Sequence, residues 1–406
     1  MKFIQPNLKI RIVLTGGGTG GHVFPLVAVL RELKKYVPDF EKQELSLEFI
    51  YFGTPDFTLD YLKREDIPIK VIHSAKFYKI SNFNDILQDI KNFFLFLWSF
   101  FETFWYLFVI MPDVIFAKGS FASFPTLFIA TLFRIPIFIH ESDSIPGKVN
   151  KMFSRFSIMT FISFEITSQY LLTKRYLLTG NPLRGFLKPK ENENIDIKIV
   201  KQSLGLEPNR NCVLVLGGSQ GAETINDLVL DSLPLLINEV EIIHQSGPNN
   251  YERLRREAEV MFREFNIDEQ FKQYYHLVPF LEEKDTPSLD SLRDCLLASD
   301  LVVSRSGSGS IFEIAAFGKP AILIPLPWSS QDHQTLNALE YSKGNRAIVL
   351  EQANLKASIF SDTIKNLLHD PQKLELMSQK AKEFAKVDAA NIISEEILKF
   401  IVNKYR

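Results

Sequence analysis

The residues most able to do chemistry stand in three glycine-rich segments, each between an apolar, strand-like run and a helical pattern. They are residues 15–22, 216–222 and 304–313. Glycines in such a turn let backbone N–H groups approach an anion at the start of a helix, where the helix dipole is favourable. The three segments therefore predict that the chain binds a phosphate group or a nucleotide sugar.

The first segment also carries a histidine. Gly16, Gly18 and Gly21 fit the dinucleotide spacing G-x-G-x-x-G, but the first acid after the second predicted strand is Asp56, too late to hold the ribose of NAD. The segment thus predicts an anion or sugar site without implying NAD. His22 is our candidate general base, because a helix N-terminus favours the neutral imidazole. A capping or packing histidine is the alternative.

The other two segments have alternatives as well. Residues 216–222 could form a tight turn that binds no ligand. The small-residue loop at 304–313 can bind a diphosphate, and Glu313 could accept hydrogen bonds from vicinal ribose hydroxyls. Ser310 and Glu313 also fit a helix capping box, S-x-x-E. Polar residues 140–143 and 329–334 follow further strand-like runs, where ligands bind in parallel sheets.

Composition limits the class of protein. The chain has 406 residues, enough for two domains, and 46 Lys plus Arg against 48 Asp plus Glu, which argues against a nucleic-acid partner. Its two cysteines, Cys212 and Cys295, can form no zinc-site spacing, and we expect neither a metal nor a cofactor. The first residues lack a signal-peptide pattern, so we expect a protein that is not exported.

Short apolar runs alternate with helical patterns along the whole chain, which predicts two doubly wound α/β domains. We predict an N-terminal domain at residues 1–183 and a C-terminal domain at 184–388, with a final helix at 389–406 that packs back on the first domain. The predicted strands are residues 10–14, 48–52, 70–73, 114–117, 137–140, 157–160, 212–216, 241–244, 276–278, 301–303, 321–324 and 347–350.

Residues 93–111 are unusually aromatic and contain one charge, Glu102. Their length approaches the roughly 20 residues that span a bilayer, but strand-like runs lie on both sides, and a crossing would divide the sheet. A narrow polar stripe at helical spacing also argues against a span. We expect a helix that covers the sheet and turns its outer apolar face to lipid. A wholly buried core helix is the alternative.

Together these segments closely resemble the MurG family of N-acetylglucosaminyltransferases, which act on undecaprenyl-pyrophosphoryl-muramoyl-pentapeptide. The matching stretches, in family order, are GGTGGHVFP (17–25), HESDSIPGKVNK (140–151), GNPLR (180–184), GGSQGA (217–222), HQSG (244–247), SRSGSGSIFEIAAFGKPAILIPLP (304–327) and DHQTLNA (332–338). The resemblance implies a GT-B fold, two Rossmann-like domains with a ligand cleft between them.

The resemblance also implies an inverting reaction, in which a base removes the proton of the muramyl C4 hydroxyl and that oxygen displaces UDP. His22 is our candidate base, with Glu141 behind it. The implied substrate contacts are Thr19, Gly20, Gly21 and Asp143 at the sugars, Arg184 and Ser219 at the diphosphate, Leu281 at the uracil, Ser308, Gly309, Ser310, Ile311, Phe312 and Glu313 around phosphate and ribose, and Gln334 at the N-acetylglucosamine hydroxyls.

The implied partners are UDP-N-acetylglucosamine, the lipid-linked acceptor and a membrane surface met by residues 93–111. The implied location is peripheral, on the cytoplasmic face of the bacterial plasma membrane. Two positions depart from the family pattern: Asp143 replaces an asparagine, and residues 118–121, KGSF, replace a GGY-type loop. A diacylglycerol glycosyltransferase, a UDP-sugar 2-epimerase and a non-catalytic sugar-nucleotide-binding subunit are the alternatives.

Overall fold

The computed structural model describes residues 8–18, 20–55, 59–74, 83–188, 196–218, 221–284 and 286–405. The chain divides into two compact units, Met1–Arg184 with Lys386–Arg406 and Gly185–Ala385. The boundary after Arg184 lies one residue after the predicted boundary, and the boundary after Ala385 lies three residues before the predicted one. Each unit is a parallel sheet covered by helices, which confirms the predicted doubly wound fold class.

Seven parallel strands form the sheet of the first unit, in the order β3-β2-β1-β4-β5-β6-β7. The strands are β1 (Leu8–Thr15), β2 (Leu45–Gly53), β3 (Ile69–Val71), β4 (Val114–Ala117), β5 (Ile137–Glu141), β6 (Met159–Ile162) and β7 (Tyr176–Leu178). The order reverses between β1 and β4, and ligands of such sheets bind beyond the carboxyl ends of the strands at that point.

Helices cover both faces of this sheet. They are α1 (Gly20–Lys34), α2 (Val37–Glu41), α3 (Leu59–Lys63), α4 (Phe83–Ile110), α5 (Phe124–Leu132), α6 (Lys148–Ser154) and the C-terminal helix Ala389–Tyr405. Ile393, Ile397 and Ile401 of the C-terminal helix are fully buried in one core with α1 and β1. Leu107 of α4 belongs to the core on the opposite face.

Six parallel strands form the sheet of the second unit, in the order β10-β9-β8-β11-β12-β13. They are β8 (Asn211–Leu216), β9 (Val240–Gln245), β10 (Tyr275–Val278), β11 (Leu301–Ser304), β12 (Ala321–Leu323) and β13 (Ala347–Val349). The helices are α7 (Ile197–Ser203), α8 (Glu223–Leu236), α9 (Tyr251–Glu264), α10 (Glu269–Lys272), α11 (Leu292–Ala298), α12 (Ser308–Ala316), α13 (His333–Ser342), α14 (Ala357–Leu368) and α15 (Pro371–Phe384).

Helix α4 connects β3 with β4, two parallel strands of one sheet. A stretch of it, Lys91–Ile110, is long and apolar enough to cross a membrane by length and composition. Because both neighbouring strands belong to the same sheet, the helix instead lies along that sheet as a crossover. Its outer side is exposed, with Phe94 at 64% and Phe101 at 65%. The alternative of a wholly buried core helix is therefore wrong.

Candidate active site

The first glycine turn joins β1 to α1 and packs on the loop that follows β4. Gly18 has a φ of +88°, and a Cβ added there would lie 3.2 Å from the ring of Phe121. A Cβ on Gly16 would lie 2.9 Å from a methyl carbon of Leu26 and 3.1 Å from Cβ of Lys118. A side chain at either position would therefore have to displace its neighbours, and at Gly18 it would also meet an unfavourable φ. Thr19, a predicted donor contact, lies outside the described residues.

His22 is the third residue of α1, directly after the glycine turn, and it is half-buried. Gly20 and Gly21 begin the same helix, so their backbone N–H groups belong to its first turn, where a helix attracts negative charge. The structure thus places these three predicted residues together at the carboxyl edge of the first sheet. Their contacts with a substrate stay predictions.

Lys118 follows β4 and is a site residue that sequence reasoning did not select. Its side chain is 1% exposed, its backbone N–H donates to the Thr15 carbonyl at 2.9 Å, and its ammonium donates to Ser142 Oγ. Burial lowers the pKa of Lys118 to about 8, against the opposing influence of Glu141 and Asp143. The sequence signal for Lys118 was the segment 118–121, KGSF, which stands where the family pattern has a GGY-type loop.

Glu141 ends β5 and closes the loop that follows. Its carboxylate accepts hydrogen bonds from the N–H of Asp143 at 3.0 Å, the N–H of Gly147 at 2.9 Å and Nδ2 of Asn150 at 2.8 Å. Burial and the nearby Asp143 raise the pKa of Glu141. These contacts support a positioning role for Glu141, whereas its direct role in catalysis stays a prediction. Residues 141–147 form the acceptor loop, named for the contact that the family resemblance implies.

His140 precedes this loop and is fully buried. Its Nε2 lies 2.9 Å from the Gly180 carbonyl, so that nitrogen must carry the proton. Burial and the positive charge of Lys118 hold the pKa of His140 well below its usual range. The histidine is therefore neutral, and it ties β5 to the turn after β7.

In the second unit, a glycine turn joins β8 to α8. Gly221 has a φ of +78°, and a Cβ there would lie 2.1 Å from the Ser246 carbonyl oxygen, so only glycine fits. Nε2 of Gln245, at the end of β9, donates to the Gly218 carbonyl at 3.2 Å. The turn is therefore held against the end of the neighbouring strand. Ser219, a predicted diphosphate contact, lies outside the described residues.

His244 of the HQSG stretch is held by two neutral groups. Its Nε2 lies 2.9 Å from Oδ1 of Asn226, and its Nδ1 lies 2.9 Å from the Tyr275 hydroxyl. Burial lowers the pKa of His244 to about 3. This histidine is a neutral structural residue of the second core.

The third glycine segment leads into α12. The helix begins at Ser308 after Gly307, and among the described residues no side chain caps it. Ser310 therefore lies inside the first turn, and the capping-box alternative with Glu313 is wrong. The N–H groups of Ser308, Gly309 and Ser310 form the helix N-terminus, the kind of site that binds phosphate.

Two of the predicted contacts on the same helix have buried side chains. Ile311 and Phe312 are 0% and 1% exposed, and the ring of Phe312 packs at 5.0 Å from that of Phe384. Their side chains belong to the core, and their contacts with phosphate and ribose stay predictions. Leu281 is likewise buried, at 2% exposed, and its contact with the uracil stays a prediction. Glu313, in the second turn of α12, is half-buried and does not belong to the core.

Gln334 braces the loop after β12. Its Oε1 accepts from the Leu326 N–H at 3.0 Å, its N–H donates to Ser329 Oγ at 3.2 Å, and its carbonyl accepts from Ser306 Oγ at 2.8 Å. It therefore joins the loops that follow β11 and β12 at one edge of the sheet. A contact between Gln334 and the donor sugar stays a prediction.

Arg184 is the last residue of the first segment of the first unit. It belongs to the first unit, although we predicted it at the start of the second domain, and its guanidinium lies 5.1 Å from the ring centre of Phe24. Phe24 belongs to α1, one turn beyond the first glycine segment. The structure thus places Arg184 beside the helix that carries His22, and its diphosphate contact stays a prediction.

Comparison with known proteins covers both units. Residues 12–162 match the glycosyltransferase family 28 N-terminal domain, and residues 212–393 match its C-terminal domain. A Listeria monocytogenes protein, UDP-N-acetylglucosamine–N-acetylmuramyl-(pentapeptide) pyrophosphoryl-undecaprenol N-acetylglucosamine transferase, is 32% identical over 391 residues, 96% of this chain and 99% of the relative. The chain belongs to the MurG family.

Further MurG relatives and solved structures agree in fold. The Bacillus subtilis transferase of the same name is 29% identical over 94% of this chain and 97% of its own length. The crystal structure of Acinetobacter baumannii MurG matches with a TM-score of 0.68 at 24% identity, over 96% of this chain and 99% of that one. A UDP-GlcNAc 2-epimerase from Neisseria meningitidis shares the fold, with a TM-score of 0.62 at 16% identity over 97% and 100%.

Proposed function

We propose that this enzyme transfers N-acetylglucosamine from UDP-N-acetylglucosamine to the C4 hydroxyl of undecaprenyl-pyrophosphoryl-N-acetylmuramoyl-pentapeptide, with inversion at the anomeric carbon. The observation that carries the proposal is the 32% identity with a transferase named for this reaction over 99% of that relative's length. A match over both domains covers the parts of the chain that bind donor and acceptor. The epimerase alternative rests on a fold shared at 16% identity.

The second unit supplies the donor site in this proposal. The N-terminus of α12 and the glycine turn before α8 both follow adjacent strands, β11 and β8, at the carboxyl edge of one sheet. Backbone N–H groups fixed there would stabilise the negative charge that develops on UDP as the glycosidic bond breaks. Glu313 would accept hydrogen bonds from the ribose hydroxyls.

The first unit supplies the acceptor site. As His22 takes the proton of the C4 hydroxyl, a lone pair of that oxygen attacks the anomeric carbon and the bond to UDP breaks. The position of His22 in the first turn of α1 supports this role, since the helix dipole disfavours imidazolium and keeps the base neutral. The acceptor loop, which Glu141 closes, presents Asp143 to the sugar.

A membrane surface is the third partner in the proposal. The exposed apolar side chains of α4 and α5 form one surface, the aromatic face: Phe93, Phe94, Leu97, Trp98, Phe101, Phe104, Trp105, Phe108, Val109, Phe128 and Leu132. The rings of Phe100 and Phe128, 5.4 Å apart, join the two helices. An apolar patch of this size marks a membrane or protein contact site, and a lipid-linked acceptor favours the membrane.

The inward side of α4 supports the same conclusion. The polar stripe of α4 includes Asn92, Ser99 and Thr103. These side chains are buried against the unit, while the aromatic residues point outward. Ser99 and Thr103 satisfy their hydroxyls on carbonyls within the helix, at 2.5 and 2.7 Å. This distribution is the reverse of that of a helix facing water, and it suits a helix whose outer face meets hydrocarbon.

Exposed cations lie next to the aromatic face. Lys148, Lys151 and Arg155 are exposed on and beside α6. The ring of Phe153 in α6 packs at 5.6 Å from that of Phe124 in α5, so this helix adjoins the same surface. Lysine and arginine side chains at the rim of an apolar face can meet anionic lipid headgroups. We infer peripheral attachment at the cytoplasmic face of the plasma membrane.

The test is transfer of labelled N-acetylglucosamine to a short-chain form of the acceptor, by the wild type and by His22→Ala. We expect product from the wild type and a kcat lower by about 10²- to 10⁴-fold in the variant, the usual contribution of a general base. His369→Ala is the matched control, because that side chain is 69% exposed in the second unit. Conversion of the donor to UDP-N-acetylmannosamine without acceptor, or to N-acetylmannosamine and UDP by addition of water, would instead favour the epimerase.

A further inference from the structure

Lys118 is a buried cation that the proposed reaction does not use. It lies at the carboxyl end of β4, between the ends of β1 and β5, where its N–H donates to the Thr15 carbonyl and its ammonium to Ser142 Oγ. An ammonium group is costly to bury unless it is paired. Its partners therefore indicate what it does.

Two carboxylates of the acceptor loop face this ammonium. Glu141 and Asp143 both stabilise its charged form, and Lys118 in turn acts on His140, which is neutral. The formal charges of Lys118, Glu141 and Asp143 add to −1. Without the lysine, two carboxylates would share the site and the sum would be −2.

Asn150 connects the lysine's backbone with the same loop. Its Nδ2 lies 2.8 Å from the Glu141 carboxylate, 3.2 Å from the His140 carbonyl and 3.4 Å from the Lys118 carbonyl. Gly119, with a φ of +88°, leaves no space beside it, since a Cβ would lie 2.4 Å from Asn150 Oδ1. The end of β4 and the acceptor loop are thus held as one packed group.

We propose that Lys118 is a positioning residue for the acceptor. Its ammonium balances the charge of Asp143, keeps Glu141 ionised and keeps the acceptor loop closed. Glu141 accepts its three N–H hydrogen bonds most strongly as a carboxylate, because protonation removes the negative charge and puts a donor on one of its oxygens. Without the ammonium, the neighbouring carboxylate of Asp143 would favour that protonation. The inference rests on the proposed function.

The test is a double-mutant cycle in the full-length enzyme. Lys118→Met keeps the side-chain length and removes the charge, which brings the sum to −2, whereas Lys118→Met with Asp143→Asn restores −1. We expect Lys118→Met to raise the acceptor KM at least about tenfold in the wild type and by much less on the Asp143→Asn background, a comparison that separates out any contact of Asp143 with the sugar. The KM for UDP-N-acetylglucosamine, bound by the other unit, should be unchanged throughout.

The pH profile gives a second readout. In the wild type the acceptor KM should rise above pH about 8, where Lys118 loses its proton. Asp143→Asn should move that rise to lower pH, because the carboxylate that raises the lysine pKa is gone. Lys118→Met should abolish it. A lysine that only fills space would produce neither the shift nor the smaller effect on the Asp143→Asn background.

The same four proteins are compared by thermal unfolding without substrates. The Tm values report on the coupling of Lys118 with Asp143 even if the wild type transfers no sugar. A smaller loss of Tm from Lys118→Met when position 143 is asparagine would support the pairing. Equal losses of Tm on both backgrounds, or an equal rise in the acceptor KM on both backgrounds, would overturn the inference. A wild type that fails to transfer sugar would refute the proposed function separately.

Discussion

At the scale of single residues, three motif histidines differ in their surroundings. His140 and His244 are fully buried and neutral, each with its Nε2 bonded to an oxygen of the protein. His22 is the one of the three with exposed surface, in the first turn of α1. The motifs alone do not separate these roles, because burial depends on strands that are distant in sequence.

His244 should make the protein acid-sensitive. Its pKa is about 3 in the folded chain, below the ordinary value near 6.5, so the unfolded state binds more protons between these values. Its contribution to stability is therefore present above pH about 6.5 and is lost as the pH falls, by about 1.4 kcal/mol per unit.

We expect Tm to fall between pH 6.5 and 5, and His244→Gln to flatten that fall. His369→Gln, at an exposed position, is the control and should keep the wild-type slope. A slope that His244→Gln leaves unchanged would contradict the buried neutral state of this histidine.

Gly221 carries the second residue-scale prediction. Gly221→Ala forces a Cβ to within 2.1 Å of the Ser246 carbonyl at a φ of +78°, so the turn before α8 must shift. We expect a lower Tm and a donor KM raised about tenfold or more, with the acceptor KM unchanged.

Gly185→Ala is the matched control, because nothing lies within 4 Å of a Cβ there. Thermal unfolding and steady-state kinetics measure both effects. An alanine tolerated at both positions would show that the turn is not fixed as described.

At the scale of elements, all twelve strands predicted from the sequence are present among the thirteen that the described residues form, because short apolar runs between glycines and prolines are a strong signal. β6 begins two residues later than predicted, and β7 was missed. β7 is three residues long and only partly buried, so it leaves little pattern. Lys118 was missed as a site residue because its neighbours come from β1 and β5.

Helix α4 carries the prediction at this scale. Phe101→Ser combined with Trp105→Ser should weaken binding to anionic vesicles by about 100-fold or more, since each aromatic side chain contributes about 1.5–3 kcal/mol when it leaves water. Both residues are more than half exposed, so Tm should hardly change.

Phe265→Ser is the control, because that phenylalanine is exposed to a similar degree, 56%, in the second unit. Vesicle co-sedimentation measures binding. Equal binding by the α4 variant and the wild type would remove the aromatic face as the membrane contact.

At the scale of the whole molecule, two doubly wound units each place glycine turns at the carboxyl edge of a parallel sheet. This repetition was visible in the sequence, since a strand, a glycine turn and a helix occur in both halves. The family match covers both units. One unit for each substrate is the arrangement on which the proposed reaction depends.

The most direct test of this account is the structure of the product. The wild type is incubated with UDP-N-acetylglucosamine labelled at the anomeric carbon and the lipid-linked muramyl-pentapeptide, and the linkage is determined by NMR. We predict a single disaccharide in which N-acetylglucosamine is β-linked to the C4 oxygen. An α linkage, attachment to another oxygen, or turnover of the donor with no acceptor product would contradict it.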